Sequence, residues 1–182
     1  DFDLCCDCAK DLDYQMKNYV YLERGLENLI YKGIEPTGCH ISFGTYWDLS
    51  AQDEDMRLQS LKRTLEMIER LKGFGIKNFI IHGNGWDFSK DRDRAEGIKK
   101  LRDSLFALSE VEGPNVALES LPRTCLGNTS EELLEIIDGT NIKICLDTNH
   151  FLKEKPEDAI LKLGKKIVSL HISDYDGIDE KH

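Results

Sequence analysis

Short, continuous apolar runs alternate along this chain with longer segments of helical period. The runs cover residues 2–6, 37–43, 77–82, 115–120, 142–147 and 167–172, and each reads as a strand. Between them, Leu22, Leu26, Leu29 and Ile30 mark one face of a helix over 17–32, with Gly33 where a C-cap would fall. Leu58, Leu61, Leu65, Ile68 and Leu71 predict a second helix over 51–72, which Ser50 is placed to cap with Asp53 in the first turn. Ile98, Leu101, Leu105 and Leu108 are the expected inward face of a helix over 92–109. Thr129 and Glu132 have capping-box spacing at the start of a helix over 130–138, and Gly139 ends it. Pro156 takes a first-turn position in a helix running to about Gly164.

Strands that are apolar throughout, rather than alternately, belong to a parallel sheet covered by helices. An open doubly wound sheet and a closed barrel both satisfy that pattern. The segment after the first run, CCDCAKDLD, is no glycine-rich phosphate loop, which removes the main argument for the open sheet. The residues at the downstream ends of the runs argue for the barrel. His40, His82, Glu119, Asp147 with His150, and His171 all lie at such strand ends, and His182 closes an acidic tail. Only a closed ring brings groups from five strand ends to one centre. A complete eightfold barrel needs about 200 residues or more. Six strands are visible here, and the chain opens at Asp1, without a methionine and almost inside an apolar run. The expectation is a single α/β domain over 1–182, a partial (β/α) TIM barrel lacking the first and last strands.

Composition narrows the function classes. At 182 residues the chain can bury a sizeable core, and 40% apolar with 32% charged residues describes a globular protein. No apolar stretch approaches the roughly 18 residues that cross a bilayer, and no signal-peptide pattern opens the chain, so no membrane partner is expected. A net charge of −10 argues against nucleic acid, although bound divalent cations would reverse the sign locally. The basic residues Lys90, Arg92, Arg94, Lys99, Lys100 and Arg102 fall mostly on the helix 92–109 and read as a solvated outer face. Cysteines 5, 6, 8, 39, 125 and 145 form no spaced framework and read as reduced thiols of a cytoplasmic protein. Open strand edges on a partial barrel would invite a second copy of the chain, giving a homo-oligomer.

The segments HISFG with WDLS, IIHGNG, VALESLP, ICLDTNH and SLHISDYDGIDEKH together resemble the xylose isomerase-like TIM-barrel superfamily of sugar isomerases and epimerases, inosose dehydratase-type enzymes and apurinic endonucleases. They correspond to its second to seventh strands. The resemblance implies Glu119, Asp147 and His171 as ligands of one divalent metal, Zn²⁺, Mn²⁺ or Co²⁺. It implies that His150 contacts substrate or binds a second metal, and that His40 and His82 match positions ligating additional zinc in the endonuclease branch. Asp179 and His182 resemble that branch's Asp/His pair, with slightly different spacing. The family's eighth-strand glutamate would come from a segment beginning just after His182.

Each candidate has a plainer reading beside the chemical one. A carboxylate ending a buried run, such as Glu119, must be paired or metal-bound, and its plain partner is Arg123, which could equally meet a substrate phosphate. Asp147 could bond its own loop amides. His171 could be a core histidine, but Asp174 and Asp176 come soon after it. His40 and His82 could bond loop carbonyls. Trp47 and Trp86 could wall a sugar cleft or pack the loops. The expected function is a metal-dependent isomerase or epimerase acting on a sugar, sugar phosphate or polyol. Glu119 would shuttle the proton beside a metal-polarised carbonyl, and His150 would orient a substrate oxygen. The alternatives are a zinc-dependent apurinic-type endonuclease and a catalytically inactive barrel.

Overall fold

A computed structural model describes residues 3–5, 12–86, 88 and 90–173. Six strands follow the apolar runs: β1 (Asp3–Cys5), β2 (Gly38–His40), β3 (Asn78–Ile81), β4 (Asn115–Glu119), β5 (Lys143–Asp147) and β6 (Ile167–His171). The helices between them are α1 (Leu12–Tyr31), α2 (Glu54–Leu71), α3 (Arg94–Leu108), α4 (Ser130–Ile137) and α5 (Pro156–Leu163). All neighbouring strands are parallel, and their order in the sheet is their order in the chain. A doubly wound sheet would reverse direction at a switch point; this one does not, and it is part of a barrel.

The two faces of the sheet do different work, because side chains alternate along a strand. Phe79, Ile81, Val116, Leu118, Ile144 and Leu146 face the helices and join the large core with Ile68, Leu71, Leu101, Leu105 and Ile136. Ile80, Ala117 and Cys145 form a small apolar layer on the other face. Two residues further along β4 and β5, the same face carries Glu119 and Asp147. Residue parity therefore separates the core from the site.

Several local expectations need correction. Asp53, not Ser50, caps α2, accepting from the Met56 amide at 2.9 Å. Ser50 is instead fully buried and donates its hydroxyl to Asp48 at 2.7 Å. The buried face of α2 is Arg57, Ser60, Thr64, Met67, Ile68 and Leu71, while Leu58 is 46% exposed. The face turned inward because Arg57 reaches the Ser104 hydroxyl at 2.8 Å and Ser104 bonds the Leu49 carbonyl at 2.8 Å, a buried polar tie that periodicity does not register. Ile30 of α1 is likewise 42% exposed. Thr129 caps α4 by accepting from the Glu132 amide at 3.2 Å, but the Glu132 carboxylate does not complete the box. It is taken by Arg94, at 2.7 Å to each oxygen. Gly33 and Gly139 take positive φ at the ends of α1 and α4, as helix C-caps require.

Arg92, Arg94, Lys100 and Arg102 tie α3 and the loop before it to neighbouring segments. Arg92 lies before the helix and pairs with Asp48 at 3.0 Å, and Lys100 pairs with Glu54 at 3.2 Å. Arg102 donates to the Ile136 and Asp138 carbonyls at the end of α4. Asp53→Ala removes a cap without touching the core. It should lower stability by about 1 kcal/mol in urea unfolding and leave the slope with denaturant unchanged.

Candidate metal centre

Because the strands are parallel and in register, their downstream ends meet on one rim. His40 ends β2, His82 follows β3, Glu119 ends β4, Asp147 ends β5, and His171 ends β6 opposite Asp147. Glu119 is at the centre and is 2% exposed. One of its oxygens, Oε2, meets His40 Nε2 at 2.8 Å and His82 Nε2 at 3.1 Å; the other, Oε1, meets His171 Nδ1 at 2.9 Å. Asp147, also 2% exposed, uses Oδ1 to accept from the Asn149 amide at 2.8 Å. Its Oδ2 is left facing His171 Nδ1 at 3.8 Å and His150 Nε2 at 3.9 Å. His150 Nδ1 lies 3.7 Å from Glu119 Oε1.

The hydrogen-bond directions call for a cation among these groups. His40 Nδ1 lies 2.7 Å from the Ile41 carbonyl and His150 Nδ1 lies 2.7 Å from the Ser120 carbonyl. A carbonyl only accepts, so both Nδ1 atoms carry hydrogen, and the Nε2 of each neutral ring offers a lone pair. At 2.8 Å the His40 lone pair would point at a carboxylate oxygen unless a proton or a metal ion lies between them. Two ligand sets, His40–Glu119–His171 and Glu119–Asp147–His150, each have donor atoms within 4.8 Å of one another. Two atoms bonded to one ion at about 2.1 Å lie at most about 4.2 Å apart. The separations of His171 from Glu119 and Asp147, 2.9 and 3.8 Å, satisfy that limit. Hard oxygens and imidazoles together suit zinc, manganese or cobalt.

Protons hold the cluster together when no metal does. Burial alone would raise the Glu119 carboxyl, but hydrogen bonds from His171, His40 and His82 outweigh it and hold the carboxyl well below its usual range. Hydrogen bonds to Cys145 and Glu119 push His171 up to about 11. The carboxylate supplies the charge in that pairing, because burial raises the Cys145 thiol and keeps it neutral. Burial lowers His82 despite its bond to Glu119.

Other candidates separate clearly. Trp86 is 60% exposed at the rim and meets Phe43 edge-on, with ring centres 5.5 Å apart. Trp47 is 2% exposed and belongs to the apolar core, so it has no face to offer a substrate. Arg123 is exposed in the loop after β4, with φ of 53°. The plain expectation for Glu119 is pairing with Arg123; imidazoles surround it instead. Cys39, Cys125 and Cys145 are buried and form no disulfide among the described residues. Asp174, Asp176, Asp179, His182, Cys6 and Cys8 lie outside the described residues.

Two contributors are not apparent from the sequence. Phe43 stacks on His82 with ring centres 4.3 Å apart and planes 22° from parallel. Ser120 accepts from the Asp147 amide at 2.9 Å through its hydroxyl and from His150 through its carbonyl. Position was the available signal: Phe43 lies three residues past His40, and Ser120 directly follows Glu119.

The chain belongs to the xylose isomerase-like TIM barrel family, which residues 6–182 match. It is 28% identical over 140 residues to the uncharacterized protein MJ1614 of Methanocaldococcus jannaschii, covering 74% of this chain and 55% of that protein. The chain thus spans about half the length of this curated relative. Among solved structures it resembles a D-tagatose 3-epimerase-like protein, with a TM-score of 0.79 and 23% identity over 99% of this chain and 69% of that one. It also resembles the 3-keto-D-glucoside 4-epimerase YcjR of E. coli, with a TM-score of 0.73 and 22% identity over 84% of this chain and 64% of that one. An L-ribulose 3-epimerase superposes with a TM-score of 0.74 and 16% identity, over 94% of this chain and 69% of that one. At these identities the likeness is one of fold.

The pKa directions predict how metal binding depends on pH. In the metal-free protein His171 is protonated from below its ordinary 6.5 up to about 11, so an ion binding there must displace that proton. Calorimetry in buffers of different ionisation enthalpy should show release of about one proton per ion near neutrality, and affinity rising about tenfold per pH unit. Without metal, the Glu119 contribution to stability is present above 4.5 and is lost as pH falls through its lowered value. The His171 contribution is present below 6.5 and is lost as pH rises through about 11, so both are whole only between 4.5 and 6.5. Thermal melts should peak in that window without metal and shift to higher pH with it.

Proposed function

We propose that this chain carries the catalytic rim of a divalent-metal-dependent isomerase or epimerase acting on a sugar, a sugar phosphate or a polyol. The observation that supports this most is the buried Glu119 carboxylate, ringed by His40, His82 and His171 with Asp147 beside it. Glu119, Asp147 and His171 would hold the ion, with His40, His82 and His150 available as further ligands. The ion would supply Lewis-acid polarisation of a substrate carbonyl. The fold likeness to a 3-keto-D-glucoside 4-epimerase, an L-ribulose 3-epimerase and a D-tagatose 3-epimerase-like protein supports this substrate class.

The remaining chemistry falls to side chains of the chain itself. Glu119 takes the proton from the carbon beside the carbonyl and returns it. Its lowered pKa keeps it ionised and able to accept at neutral pH. His150, with Nδ1 fixed on the Ser120 carbonyl, presents Nε2 to a substrate oxygen. Trp86 offers an exposed ring at the mouth, against which the apolar face of a sugar can lie. Arg123, exposed after β4, is the candidate for meeting a phosphate. The chain would act on small molecules in the cytoplasm as one barrel domain, and as a homo-oligomer.

A second reading, phosphodiester hydrolysis by a zinc-dependent apurinic-type endonuclease, draws support from the two extra imidazoles on Glu119 Oε2. The net charge of −10 weighs against it. Metal content separates the two: close to one ion per chain fits the isomerase and close to three the endonuclease.

The direct test is solvent deuterium exchange. With Mn²⁺, Co²⁺ or Zn²⁺ present, a panel of pentuloses and hexuloses, free and phosphorylated, should take up deuterium at the carbon beside the carbonyl. Glu119→Gln should slow exchange by about 10²–10⁴-fold. Trp86→Ala should raise KM more than it lowers kcat. Absence of exchange on every ketose by metal-loaded protein would overturn the isomerase reading and leave the endonuclease or an inactive barrel.

A further inference from the structure

An imidazole turns about its Cβ–Cγ bond, and a hydrogen bond at one nitrogen alone holds that turn loosely. His40 and His150 are held at a second point, because Nδ1 of each lies 2.7 Å from a backbone carbonyl, Ile41 for one and Ser120 for the other. Among the described residues, His82 makes its hydrogen bond through Nε2, to Glu119 Oε2 at 3.1 Å. An aromatic face takes the place of the second anchor. Phe43, half-buried at the rim, covers the His82 ring with centres 4.3 Å apart and planes 22° from parallel.

Phe43 is itself held on two other sides. His40 stands across the stacked pair, its plane 62° from that of Phe43 at 5.7 Å and 72° from that of His82 at 4.9 Å. Trp86 meets Phe43 edge-on at 5.5 Å. The backbone brings these rings together. Phe43 is in the loop after β2, and Gly44, with φ of 102°, turns the chain directly after it. His82 and Trp86 are in the loop after β3 with Gly85, where a Cβ would stand 3.2 Å from the Thr45 amide nitrogen. A side chain at Gly85 would part the two loops, so the stack follows from the path of the backbone.

We propose that Phe43 is a positioning residue of the site, fixing the plane of the His82 imidazole and, through it, the orientation of the Glu119 carboxylate. Stacking sets the plane, and the hydrogen bond to Glu119 selects which edge faces inward. His40 and His82 share Oε2, at 2.8 and 3.1 Å, which turns Oε1 toward His171 at 2.9 Å. A carboxylate released on the His82 side would swing, and its distance to the reacting carbon would vary. That slows proton transfer more than it weakens substrate binding. In this role Phe43 acts through His82 rather than by touching substrate.

This inference rests on the reading of Glu119 as the proton-transferring base, and two measurements keep the two apart. The first is ¹³C relaxation of the His82 Cε1–H group in metal-free Phe43→Leu and Phe43→Tyr. Leucine keeps bulk without a ring face, and tyrosine keeps the face. The His82 order parameter should fall below about 0.6 in the leucine variant and stay at the parent value in the tyrosine one, with His150 unchanged in both. A rigid His82 in Phe43→Leu, or equal loosening of His150, overturns the inference. The second is deuterium exchange into ketoses by metal-loaded protein. Phe43→Leu should lower kcat about tenfold with KM within about threefold of the parent, and Phe43→Tyr should stay within about threefold in both. In a His82→Gln background Phe43→Leu should have no further effect. A raised KM with kcat unchanged would make Phe43 a wall of the substrate cleft, and additive losses would give it a role apart from His82; either overturns the inference. Should the parent exchange no ketose, the isomerase reading fails, and the order of the His82 ring decides the positioning role by itself.

Discussion

Two carboxylates, each only 2% exposed, lie at the mouth of this sheet, and their burial constrains everything around them. A buried anion is costly unless paired, and the cost grows when two lie side by side. Here the compensation comes from four imidazoles, three on Glu119 at 2.8 to 3.1 Å and a fourth, His150, reaching toward both carboxylates. His40 and His150, fixed through carbonyls at Nδ1, turn Nε2 toward carboxylate oxygens. An apolar cluster of the same volume would give a more stable protein, which argues that these groups are retained for chemistry.

The loops that carry the site are tied to one another across the rim. Arg92 spans from the loop after β3 to Asp48 and Ser50 in the loop after β2, while its guanidinium lies 4.2 Å over Phe88. Asn84 accepts from the Leu126 amide at 2.9 Å and donates to the Trp86 carbonyl, linking the loops after β3 and β4. Gly85 lies so close to Gly44 that a Cβ would stand 2.9 Å from the Gly44 carbonyl oxygen. These ties set Trp86 over Phe43 and Phe43 over His82. The positions of the side chains are thus fixed by backbone contacts made well before any substrate arrives.

Much of this was legible in the amino-acid sequence, for a physical reason. Parallel strands end on one side of a sheet, so His40, Glu119, Asp147 and His171 at the ends of apolar runs had to share a rim. The rest was hidden because it depends on which neighbour a group finds in three dimensions. Ser50 and Asp53 are both good helix caps, and the choice between them turned on Asp48 claiming the Ser50 hydroxyl. Glu132 had the spacing of a capping box, and Arg94, 38 positions away, outbid the Thr129 amide. Trp47 and Trp86 are alike as letters, yet one is in the core and the other at the mouth.

The claim on which the rest depends is that Glu119, Asp147 and His171 close around one divalent ion. X-ray absorption spectroscopy of the zinc-loaded protein tests it most directly. The account predicts nitrogen and oxygen atoms at about 2.0–2.2 Å with the outer scattering of at least one imidazole, and no sulfur at about 2.3 Å. A sulfur neighbour, or a spectrum without imidazole, would place the ion elsewhere and contradict it.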